Sequence, residues 1–178
     1  AGFVARTIDM DRPHTQAMLE AAHRHRGSAL IEIYQNCNVF NDGQFNDITK
    51  RTVRDEMMIN LVHGEPILFG AEKQRGVMMG TDGFLQIVEV ADVGIERILV
   101  HNQHHFKPSL AFALARLNSD DHSPTPFGIF REVDRQEYTS AVANQLAEAS
   151  TKKPGSRGAW GKNGTIGTSA RAGCRPLQ

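Results

Sequence analysis

The sequence predicts an α/β fold in which a strand–helix–strand unit is followed by a small antiparallel extension and a C-terminal helix. Three observations predict it. Apolar runs at Phe3–Arg6 and Ser28–Tyr34 flank a segment with helical periodicity. Short extended pieces at 66–70, 76–79 and 84–90 then follow one another between turn signals. Near the end, Tyr138, Val142 and Leu146 recur at intervals of four, the spacing of one helix face.

Phe3 to Arg6 reads as a strand end. Asp11 can cap the next helix, and Pro13 lies in its first turn, where a missing N–H costs little. The helix is expected to run to about Arg26, with Ala17, Met18, Ala21 and Ala22 at helical spacing. His23, Arg24, His25 and Arg26 crowd its last turn, where positive charge suits the helix dipole, and Gly27 ends it. Ser28–Tyr34 presents Ala29, Ile31 and Ile33 on one side and Leu30, Glu32 and Tyr34 on the other, and is expected to be an interior strand. Two strands joined through a helix predict a right-handed crossover and a parallel pair.

After Tyr34 come Gln35, Asn36, Asn38, Asn41, Asp42 and Gly43, residues that favour turns. Cys37 therefore sits where the strand opens out, at the end of the sheet where open α/β folds carry their sites. Asp47–Asn60 reads as a helix carrying Val53, Met57 and Met58. Lys73-Gln-Arg75 and Thr81-Asp-Gly83 separate the extended pieces that follow, which gives a three-stranded meander. Pro108 starts a helix over Ser109–Leu117, a Ser/Asp/Pro stretch covers 119–126, and the last helix runs from about Arg135 to Ala149. Residues 151–178 are rich in glycine and poor in aliphatic side chains, so they are expected to form a disordered basic tail.

With 178 residues, 40% hydrophobic and 22% charged, the chain can bury one core. Twenty basic and twenty acidic residues cancel, which gives no reason to expect nucleic acid or a membrane as partner. The balance is uneven, however. Six of the basic residues lie beyond 150 and none of the acidic ones does, so residues 1–150 carry fourteen basic against twenty acidic groups. Two cysteines, Cys37 and Cys174, are too few for a disulfide framework, and without an apolar targeting stretch the chain reads as cytoplasmic. It begins in a strand-like segment without Met, so an N-terminal part is expected to be missing.

From residues alone, Cys37 is either inert packing or one corner of a cluster whose other thiolates come from elsewhere. His101, His104 and His105 fit no common zinc spacing and read as a structural loop. Glu32 reads as structural. Asn38-x-Phe-x-Asp42-Gly43 is laid out like a calcium loop, but Phe40 replaces a ligand and Thr49 stands where the bidentate Glu belongs. Gly155–Lys162 is one residue too long for a phosphate loop and lacks the following Ser or Thr.

The motif Gly27-Ser-Ala-x-x-Glu-x-Tyr-Gln-Asn-Cys-Asn-x-Phe-Asn-Asp-Gly43 closely resembles the β subunit of 2-oxoacid:ferredoxin oxidoreductases, particularly the 2-oxoglutarate type. Phe3-Val-Ala-Arg6 with Asp9, Ile98-Leu-Val-His101, Ser109–Ala113 and Pro126–Arg131 are similar to that subunit in the same order. The resemblance covers about residues 1–150 and corresponds to the C-terminal half of the family's chain. It implies a thiamine-diphosphate and Mg²⁺ enzyme that decarboxylates a 2-oxoacid, hands the acyl group to coenzyme A and passes electrons through a four-iron, four-sulfur cluster to ferredoxin, alongside an α subunit. By the same resemblance Cys37 is the fourth cluster ligand. Residues 1–60 would complete the thiamine-diphosphate-binding domain, as a partial form of that fold, and 61–150 would form the subunit's C-terminal extension.

The sequence lacks the family's Gly-Asp-Gly segment with its downstream Asn, and lacks its Cys-x-x-Cys pair. The stretch on its own is therefore expected to be inactive. Catalytic and cofactor-contacting residues other than Cys37 are not assigned. The likeness stops at the basic tail, which has the composition that a shifted reading frame would produce. The competing reading is a non-enzymatic α/β interaction domain with Cys37 packed as a structural residue.

Overall fold

A computed structural model describes residues 1–117 and 123–152. In chain order the elements are β1 (Phe3–Ile8), α1 (Arg12–Arg24), β2 (Ala29–Tyr34), α2 (Asn46–Thr49), α3 (Arg54–Met57), β3 (Met58–Leu61), β4 (Leu68–Phe69), β5 (Arg75–Met79) and β6 (Leu85–Glu89). One turn of helix, α4 (Val90–Val93), leads through a 3₁₀ turn (Ile95–Arg97) toward α5 (Ser109–Ala115), β7 (Thr125–Glu132) and α6 (Tyr138–Lys152). The chain divides into two compact units, Ala1–Glu137 and the part from Tyr138 onward.

Helix α1 starts as its sequence dictates: the Asp11 carboxylate accepts from the His14 N–H at 3.1 Å, and Pro13 lies in the first turn. β1 and β2 pair in parallel, with Phe3 opposite Ala29 and Ile8 opposite Tyr34, as a βαβ unit requires. The meander also forms as expected, in the order β4-β5-β6 with both pairings antiparallel. Its β5–β6 turn is closed by Gly80 N–H on Phe84 C=O and by Asp82, which accepts from Phe84 N–H.

Among the described residues the larger sheet has the order β2-β1-β7-β3. This departs from expectation in three places. Ser28–Tyr34 was expected inside the sheet, yet β2 is an edge strand whose Leu30 and Ile33 are 58% and 44% exposed. A run of apolar residues marks a strand but cannot say how many neighbours it has. The helix expected over Asp47–Asn60 breaks into α2 and α3, and its last residues become β3, where Ile59 is fully buried. Pairing of Met58–Leu61 with β7 outweighs the weak helical preference of a segment holding Ile48, Thr49, Thr52 and Val53.

The third departure is β7, a strand the periodicity does not announce because Pro126 and Gly128 interrupt it. It is nonetheless an interior strand, antiparallel to β1 and parallel to β3. Gly128 has φ of +119°, and a methyl group there would stand 2.8 Å from Leu61 C=O. His25 also differs from its expected place beside the helix dipole. It caps α1 with extended geometry and turns its ring inward, tilted against Phe3 at 5.8 Å and 3.9 Å from the Glu132 carboxylate.

Ile59, Leu61, Ile67, Phe69, Val77, Leu114 and Phe130 make the main core, which joins the meander to the larger sheet. A second cluster of Ile8, Ile48, Met58 and Phe127 lies at one end of the sheet, and Tyr34 and Phe45 pack against it. Each fully buried large side chain contributes on the order of 1.5–3 kcal/mol. The second cluster fixes where β2 ends. In the other unit, α6 is a fifteen-residue helix with Tyr138 and Leu146 exposed. It starts three residues later than expected, and the rest of the expected tail, Cys174 included, lies outside the described residues. None of the described helices is long and apolar enough to cross a membrane.

Gly128→Ala is expected to lower stability by about 2–4 kcal/mol, since the new methyl group meets backbone in a left-handed conformation. Urea unfolding of the chain checks this, and an unchanged midpoint would contradict the close approach of β7 and β3. A second expectation concerns pH. His101 is buried, its Nε2 facing Ile129 C=O at 2.8 Å and its Nδ1 without a partner, and burial holds its pKa below the ordinary value; His14 is lowered by the same cause. The unfolded state therefore binds more protons below about pH 6.5, so stability is full above that pH and declines as pH falls through the window beneath it. Melting temperatures from pH 8 to 5 should fall for the parent and fall less steeply, from a lower start, for His101→Gln.

Candidate functional site

The polar loop after β2 is the place where the fold gathers chemistry. β1 and β2 end side by side, and Asp9 N–H donates to Tyr34 C=O at 3.0 Å, which locks the two strand ends together. Tyr34 stacks on Phe45 at 4.7 Å and meets Phe127 edge-on at 5.7 Å, so the loop's root is anchored in the second core cluster.

Asn36 closes the loop. Its backbone N–H reaches the Asp9 carboxylate at 3.3 Å, and its side-chain amide donates to Asn38 Oδ1 at 2.7 Å and Asp42 Oδ1 at 2.8 Å. Its Oδ1 accepts from Gly43 N–H at 2.8 Å. One amide thus ties both ends of the 36–43 segment, a use of Asn that only a neighbourhood rich in short polar residues hints at in sequence. Gly43 makes this turn at φ +77°, with Asn46 close against it.

Cys37 lies inside that clasp. Its carbonyl accepts from Asn41 N–H at 2.9 Å, forming a tight turn, and its thiol is exposed. The N–H groups of Phe40 and Val39 direct hydrogen bonds at the sulfur and, with a smaller one from Asn41, hold its pKa below the ordinary value. Donors of this kind favour the thiolate, the form that binds metal. The side chains of Val39 and Phe40 are themselves 81% and 91% exposed, two apolar groups on the loop that carries the sulfur. The packed, inert cysteine of the competing reading does not match this setting.

The other candidates fall into structural places. Glu32 pairs with buried Arg6 at 2.7 Å. His101 packs beneath Ile129, while His104 and His105 place Nδ1 against the carbonyls of Glu132 and Lys107 at 2.8 and 3.0 Å. His104 also meets His63 ring to ring at 4.7 Å. Among the described residues no group of three or more His, Cys, Asp or Glu side chains is arranged to hold a metal ion. Cys37 is the one cysteine among the described residues, and it belongs to no such group.

The hydrogen-bonded thiol has a measurable consequence. With Cys174 replaced by serine, the alkylation rate of Cys37 against pH should have its midpoint below the roughly 8.5 of a free cysteine. A midpoint at or above that value would mean that the N–H donors do not reach the sulfur.

Scanned against protein-family models, the chain matches none. Among curated proteins it is 41% identical over 154 residues to 2-oxoglutarate oxidoreductase subunit KorB of Mycobacterium tuberculosis (strain ATCC 25618 / H37Rv). The match covers 86% of this chain and 41% of the relative, so the chain spans about two fifths of the length of the protein it matches. A continuous stretch of that size in 178 residues necessarily includes the Cys37 loop and β3 through β7. Joined to the βαβ unit and the polar loop at its end, that identity supports the likeness of this chain to a 2-oxoacid:ferredoxin oxidoreductase β subunit.

Proposed function

We propose that this chain works as part of a 2-oxoacid:ferredoxin oxidoreductase, with 2-oxoglutarate as the 2-oxoacid. The whole enzyme would convert the 2-oxoacid and coenzyme A to acyl-CoA and carbon dioxide, releasing two electrons to ferredoxin. Thiamine diphosphate with Mg²⁺ would supply the decarboxylation chemistry, and a four-iron, four-sulfur cluster the path for electrons. Residues outside this stretch would hold the thiamine diphosphate, together with an α subunit, because this chain has neither a Gly-Asp-Gly segment nor a Cys-x-x-Cys pair. The stretch is accordingly inactive on its own.

This chain's part is to present Cys37 as one thiolate ligand. The observation that carries this is the exposed thiol on a loop closed by Asn36, with backbone N–H donors at the sulfur. Such donors stabilise a sulfur ligand before the metal arrives and raise the potential of the cluster once it is bound. The exposed side chains of Val39 and Phe40 would exclude water from the iron. Arg6, Tyr34 and the second core cluster hold the loop's root, so the sulfur's position does not depend on the loop alone.

The test is anaerobic purification of the full-length subunit with its partner, followed by assay of iron and labile sulfide. Cys37→Ala should remove most of the cluster and lower electron transfer by orders of magnitude, with the fold of the subunit retained. Full iron content in the variant would take Cys37 off the ligand set, and absence of iron from the parent would overturn the assignment of the reaction.

A further inference from the structure

We draw no further inference here: the strongest candidate, the open apolar groove between helix α5 and strand β7 that Phe106, Phe112 and Arg131 line, carries nothing because nothing in the structure shows what covers it.

Discussion

Arg6 is the point on which the geometry of the site depends. Its guanidinium is buried and bonded to Glu32 at 2.7 Å and to Ala115 C=O at 3.1 Å, with a longer contact to Pro126 C=O at 3.4 Å. The rings of Tyr34 and Phe130 lie on it at 5.2 Å each. One side chain thus links β1, β2, β7 and the end of α5. Glu32 is half exposed, so the ion pair itself adds little stability. What it does is fix the edge strand in register two residues before Tyr34, and through Tyr34 the root of the Cys37 loop. An exposed edge strand would otherwise be free to fray, carrying the sulfur with it.

The parts of this fold visible in sequence are those whose signal is local. Asp11 and Pro13 announce the start of α1, Thr81-Asp-Gly83 announces the β5–β6 turn, and the Asn-rich run after Tyr34 announces the loop. The parts that were hidden depend on partners distant in the chain. β7 holds Pro126 and Gly128, which argue against a strand, and it is interior because β1 and β3 both pair with it. Gly128 is needed there since β3 comes too close for a side chain, a requirement that no reading of residues 125–132 alone reveals. Met58–Leu61 becomes a strand for the same reason.

At the site, the type of residue was legible and its support was not. Cys37 stands out in sequence because it follows a strand and sits among turn formers. That Asn36 would clasp the loop through four hydrogen bonds, or that Val39 and Phe40 would offer their N–H groups to the sulfur while exposing their side chains, depends on backbone geometry. The histidines teach the reverse lesson. Three of them, at 101, 104 and 105, look like chemistry when written in a line, yet the fold uses all three to face backbone carbonyls.

The role proposed for Cys37 as a metal ligand rests on how its loop is built, and direct observation of the bond is its sharpest test. A structure of the intact subunit prepared without oxygen, with iron located by its anomalous scattering, answers the question in one map. The account requires the sulfur of Cys37 within bonding distance of an iron, with the N–H groups of Val39 and Phe40 facing it and Asn36 still closing the loop. An iron cluster complete without that sulfur, or a Cys37 thiol turned to solvent away from every iron atom, would contradict it.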